Sequence, residues 1–196
     1  MEAWNFLLVG VGGQGILTAS DILAEAGLRA GYDVKKSEVH GMSQRGGVVS
    51  SHVRFGPRVY SPLIGQGEAD FLLSFELLEA LRWAHYLRPS GIALVNAQRV
   101  LPLAVTSGGA HYPTEEEVRR ELAGRARQTF LIDSVRVGQE LGNPRVANTV
   151  LVGALASFLP IPPALWEEVI QERIPPRYAA LNRQAFRYGL AQVRER

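Results

Sequence analysis

The sequence predicts an α/β fold of the Rossmann-like kind: a doubly wound, mostly parallel sheet with an antiparallel hairpin and a C-terminal helical segment. Three observations carry this prediction. An apolar run at the N-terminus enters a glycine cluster and then a helical pattern; strand-sized apolar runs alternate with helical segments as far as Asp133; and beyond that point the pattern is helical, broken only at glycine and proline.

The elements follow in order. Asn5–Gly10 is a short apolar strand, and Ile16–Ala30 has apolar residues at helical spacing until Gly31 stops it. Asp33–Ser37 resumes as a second strand, so the opening reads as a βαβ unit, which favours parallel pairing. Val49, Ser51, Val53 and Phe55 alternate with their neighbours, and Gly56-Pro57 separates them from Arg58–Pro62, which predicts an antiparallel hairpin there. Phe71–Phe75 and Ile92–Asn96 are strand-like around a helix over Leu77–Leu87. Thr106–Ala110 is an expected exposed loop. Thr114 with Glu117 is a capping-box pattern that starts a helix near Glu115. After a strand at Thr129–Asp133, breaks fall at Gly142-Asn143-Pro144, at Pro160–Pro163 and at Pro175-Pro176.

At 196 residues and 46% hydrophobic content, the expectation is one domain over residues 1–196, helical from about 134. The formal charge is +2, and only Lys35 and Lys36 are lysines, with arginine scattered among acidic and apolar residues. No basic block points to nucleic acid. The absence of cysteine excludes disulfides, thiolate catalysis and the usual ligation of an iron–sulfur cluster by this chain. The N-terminal apolar run is strand-sized, so the expected location is cytoplasmic, without a membrane span. His40, His52, His85 and His111 are dispersed, so no metal site is expected.

Two segments carry chemistry. Gly10-Val11-Gly12-Gly13-Gln14-Gly15 satisfies G-x-G-x-x-G between a strand and a helix, where backbone amides can approach a phosphate. The same loop can equally pack helix on strand or receive another subunit. A dinucleotide would also need an acidic residue after the second strand, for which Glu38 is the candidate. A free-standing NAD(P)-binding oxidoreductase and a nucleotide-binding regulatory module therefore both stay open. Ser37–Gly47 then gathers His40, Ser43, Gln44, Arg45, Gly46 and Gly47, and should lie beside the first loop if both follow parallel strands. Arg45 can grip a phosphate or carboxylate with its planar fork, or tie the loop to Glu38. His40 is suited to proton donation near neutral pH. No acid–base pair or nucleophile triad assembles, so no residue is assigned as catalytic. Asn96, Asn148 and Asn182 are weaker candidates for contact; the latter two fall in helices, where an amide serves hydrogen bonding rather than propensity. Val146–Leu159 is nearly all apolar, and it or Trp166 is expected at a partner interface.

Together these two loops resemble the gamma domain of pyruvate and 2-ketoisovalerate oxidoreductases. The likeness continues through Val53–Ile64, Glu68-Ala69-Asp70, Gly142-Asn143-Pro144-Arg145, Asn148, Leu155 and Asn182–Phe186, and within the family it leans to the two-subunit indolepyruvate branch. The resemblance implies a complex that uses thiamine diphosphate, magnesium, iron–sulfur clusters and coenzyme A, and passes electrons to ferredoxin. It implies a large partner subunit that carries thiamine and clusters, no cofactor held by this chain alone, and self-association as a homodimer when isolated.

Overall fold

The computed structural model describes residues 2–40 and 47–194. Strand β1 (Trp4–Val11) runs into the glycine loop and helix α1 (Ile16–Arg29). Strands β2 (Asp33–His40) and β3 (Val48–Gly56) follow, then β4 (Ala69–Ser74), α2 (Leu77–Trp83) and β5 (Leu87–Asn96). After the short α3 (Leu103–Thr106) come α4 (Glu115–Ala123) and β6 (Gln128–Ile132). The chain then forms α5 (Ser134–Glu140), α6 (Ala147–Ala156), α7 (Pro163–Arg173) and α8 (Pro176–Arg194).

The six strands lie in the order β2-β3-β1-β4-β5-β6. β1, β4, β5 and β6 are parallel neighbours, whereas β3 is antiparallel to both β1 and β2. The expected mostly parallel sheet with one antiparallel hairpin is therefore present, but two details differ. β3 inserts between β1 and β2, so the strands of the opening βαβ unit are not neighbours. The hairpin partner of β3 is β2, not Arg58–Pro62, which forms no strand. The backbone groups of that segment are taken by side chains instead of a ladder. Val59 N–H donates to Asp33 Oδ2 at 2.8 Å, and Arg54 Nη1 donates to the carbonyls of Ser61 and Leu63, each at 3.1 Å. Pro57 and Pro62 have no N–H to offer.

Period-two alternation divides the core into two layers. Phe6, Leu8, Phe71, Leu73 and Leu94 face α1, α6, α7 and α8, while Leu7, Val9, Leu72, Ala93 and Val95 face α2 and α4. β3 packs against α1, and the Phe55 ring lies 4.7 Å from that of Phe6. α1 ends in a Schellman motif: Gly31 takes φ +88°, its N–H reaches Leu28 O, and Tyr32 N–H reaches Gly27 O. The capping box of α4 forms as expected, with Thr114 Oγ1 accepting from Glu117 N–H and Glu117 Oε2 accepting from Thr114 N–H. The backbone N–H of Thr114 first, then the His111 ring and the Thr114 hydroxyl, hold the Glu117 carboxyl down at about 2. α6 is buried inside the chain, chiefly by α8, and Trp166 is fully buried. Neither is therefore available to a partner, which corrects the interface expected from their composition. No described helix is long and apolar enough to cross a membrane.

Candidate functional site

In an open sheet, loops leaving the carboxyl ends of parallel strands diverge where successive helices cover opposite faces. Here that point lies between β1, whose helix α1 covers one face, and β4, whose helix α2 covers the other. The glycine loop and Phe75-Glu76 part there, and Gln14 ties them together. Its Oε1 accepts from Val11 N–H at 2.8 Å, and its Nε2 donates to Phe75 O and Gln98 Oε1, both at 2.9 Å.

The glycines have distinct reasons. Gly13 and Gly15 take φ +99° and +79°, in the left-handed region open to glycine. A Cβ at Gly15 would stand 2.5 Å from Asn148 Nδ2, and one at Gly10 would stand 2.7 Å from Gln14 Oε1. Gly12 N–H donates to Gly47 O at 2.9 Å, so the end of the second loop does meet the first, as the sequence suggested. Ser43, Gln44, Arg45 and Gly46 lie outside the described residues, as does the side chain of His40.

Beside the glycine loop opens a cavity of about 510 Å³. Gly13, Gln14, Gly15, Thr18 and Gln98 form one wall, and Asn143–Asn148, Tyr178 and Asn182 from the C-terminal helices form the other. A chain of amides and hydroxyls crosses its floor. Asn148 Nδ2 donates to Gly15 O at 3.3 Å, and Thr149 N–H donates to Asn148 Oδ1 at 2.8 Å. Thr149 Oγ1 donates to Asn182 Oδ1 at 2.6 Å, and Asn182 Nδ2 donates to Tyr178 O at 2.9 Å. Asn148 and Asn182 thus line the cavity while holding it together. Asn96 does not reach it, because its Nδ2 serves Phe75 O and Gln98 Oε1 while its Oδ1 accepts from Ser134 N–H and Oγ.

The wall is rich in donors. Gln98 Oε1 is occupied by Gln14 and Asn96, and the Arg145 guanidinium has no ion partner among the described residues. Thr18 adds a hydroxyl. Glu76 keeps its carboxylate away from this wall. It caps α2 through Glu79 N–H at 2.9 Å and holds Val100 N–H at 3.1 Å, and burial pushes its pKa above the usual carboxylate range. Gln98, Tyr178 and Glu76 were not singled out from the sequence, although Gln98 sits two residues past the end of a legible strand.

Glu38 is not placed to bind a ribose. It pairs level with Ser51 and, through β3, with Leu8, so a whole strand separates it from β1. It faces α1, where Lys36 Nζ lies 2.5 Å from its Oε1 and also pairs with Asp21. Among the described residues no three His, Asp or Glu side chains converge as metal ligands.

The family model for pyruvate ferredoxin/flavodoxin oxidoreductase matches residues 5–192. The indolepyruvate oxidoreductase subunit IorB of Pyrococcus horikoshii is 42% identical, with 100% of this chain and 98% of that protein aligned. Two solved structures share the fold. The gamma subunit of a keto/oxoacid ferredoxin oxidoreductase from Geobacter sulfurreducens is 23% identical, with a TM-score of 0.73, and 98% of this chain and 99% of that chain are covered. A 2-oxoglutarate:ferredoxin oxidoreductase from Magnetococcus marinus, with 2-oxoglutarate, coenzyme A and succinyl-CoA bound, is 22% identical with a TM-score of 0.76; the match covers 100% of this chain and 32% of that longer chain.

Proposed function

The chain belongs to the pyruvate ferredoxin/flavodoxin oxidoreductase family, and from that premise we propose that it is the small, cluster-free subunit of a 2-oxoacid:ferredoxin oxidoreductase acting on indolepyruvate or related arylpyruvates. The observation that carries this reading is the 42% identity to an indolepyruvate oxidoreductase subunit over the whole of this chain and 98% of that protein. In the complex, thiamine diphosphate with magnesium supplies the decarboxylation of the oxoacid, iron–sulfur clusters supply the electron path to ferredoxin, and coenzyme A accepts the acyl group. A sequence without cysteine offers no thiolate to a cluster, so the large partner subunit carries that work, and the complex is cytoplasmic.

What this chain's own residues fit is an anionic group. Arg145, Thr18 and the Gln98 amide line one cavity, a donor set suited to a phosphate-bearing acyl carrier such as coenzyme A. The floor chain Gly15–Asn148–Thr149–Asn182 holds that wall at fixed spacing, and Gln14 fixes the glycine loop. Gly47 O accepts from Gly12 N–H, so the end of the second loop borders the glycine loop, and the contacts that His40, Ser43, Gln44 and Arg45 offer by their chemistry are assigned to coenzyme A or to the partner subunit.

Co-expression with the large subunit tests the proposal. The purified assembly is expected to contain thiamine and iron and to reduce ferredoxin with arylpyruvate only when coenzyme A is present. Arg145→Ala should raise KM for coenzyme A about tenfold, the loss of one charge-assisted contact, and leave KM for the oxoacid unchanged. An assembly free of thiamine and iron, or turnover by this chain alone, refutes the assignment.

A further inference from the structure

We propose that the open edge of β2 is a dimerisation surface, along which two copies of this chain pair their β2 strands antiparallel about a two-fold axis at Ser37. β2 ends the sheet order and pairs with β3 residue for residue from Asp33 to His40 without a bulge. It contains no proline, and among the described residues no strand pairs with its other side. Backbone N–H and C=O groups of an antiparallel strand alternate between its two neighbours, so those directed outward from β2 are available for a further strand.

Charges on an edge strand normally guard it against pairing. Among the registers that pair five or more residues of each β2 strand, they guard against all but one. A two-fold axis perpendicular to the sheet keeps each side chain on its own face, so the axis must bring some residue opposite its own copy. Axes at Lys35, Lys36 or Glu38 would set like charges about 5 Å apart. The axis at Ser37 sets Lys36 opposite Glu38 of the second copy, and Glu38 opposite its Lys36. Both side chains point to the α1 face, where Lys36 Nζ and Glu38 Oε1 already lie 2.5 Å apart and Asp21 also pairs with Lys36, so Lys36 and Glu38 of the two copies alternate in sign across the axis. On the other face the stem of Lys35 lies over Val39 of the second copy, covering a β-branched side chain that is 56% exposed in the single chain. The pairing spans residues 34–40.

The absence of cysteine makes the register testable in the full chain. In Ser37→Cys the two thiols face each other across the axis, with Cβ atoms about 5 Å apart, and mild oxidation should join them into a species of twice 21.5 kDa. Val39→Cys should not cross-link with itself, because its two copies are offset by four residues, about 13 Å, whereas a mixture of Val39→Cys and Lys35→Cys chains should. Sedimentation gives a second arm. Val39→Lys places two like-charged pairs across the axis and should weaken the dimer about tenfold, and adding Lys35→Glu to it should restore the affinity. A chain that sediments as a monomer at every concentration, or one in which Ser37→Cys and Val39→Cys cross-link equally, overturns the proposal.

Discussion

Gly189→Ala sets helix propensity against close packing, and the two predict opposite signs. Alanine is favoured over glycine in a helix interior by about 1 kcal/mol, so α8 taken alone would gain from the change. In the folded chain a Cβ at Gly189 would stand 1.9 Å from Val150 O and 2.9 Å from Ala154 N on α6. Gly153 shows the reverse contact, with its added Cβ 2.1 Å from Phe186 O. An ordinary carbon–oxygen contact is about 3.3 Å, so α6 and α8 would have to part by more than 1 Å, and a main-chain carbonyl cannot rotate out of the way. Overpacking of this kind costs about 1–3 kcal/mol, and backbone partners place it at the upper end; after the propensity gain, a net loss of about 2 kcal/mol is expected. For a chain of this size that lowers Tm by roughly 4–8 °C. Urea and thermal unfolding followed by circular dichroism measure it. Gly189→Ala as stable as the parent chain, or more so, would refute the crossing geometry of α6 and α8.

Two further predictions follow from the same geometry. Gly15→Ala combines a left-handed backbone, which costs a residue with a Cβ about 1–2 kcal/mol, with a clash against Asn148, so it should destabilise the chain by at least that amount and weaken coenzyme A binding to the assembled complex; unchanged unfolding midpoints and KM would count against it. His52 is buried, its Nδ1 accepts from Ile64 N–H at 3.2 Å, and burial lowers its pKa from 6.5. A histidine with a lowered folded value stabilises above its unfolded pKa, and that contribution is lost as pH falls through the folded value. The stability gap between the parent chain and His52→Asn should therefore shrink as pH drops below 6.5, and a gap constant from pH 8 to pH 5 would show that the imidazole does not titrate as placed.

Local rules were legible wherever a residue's partner is near in sequence. Gly31 closing α1, Thr114 and Glu117 capping α4, and the prolines at 144, 163 and 176 opening new helices all act within a turn or two. The apolar runs in β1, β4 and β5 also read correctly, because a strand buried on both faces must be apolar on both. Arg58–Pro62 misled because its hydrogen bonds go to Asp33 and Arg54, side chains whose proximity no local pattern announces. Asn148 and Asn182 were visible as amides out of place in helices, but their shared partner Thr149 was not.

The sequence by itself determined the alternation of strands and helices, the two glycine-bearing loops, the absence of thiolate chemistry and, through its motifs, the family. Tertiary structure decided which strands are neighbours, since pairing β1 with β3 depends on contacts about 40–50 residues apart that only collapse of the whole core brings together. That one insertion moved Glu38 away from β1 and left β2 as an open edge. It also fell to the packing of α6 against α8 to carry Asn148, Asn182 and Arg145 across to the glycine loop, because a cavity wall built from two distant ends of a chain exists only once both ends are packed on the same sheet.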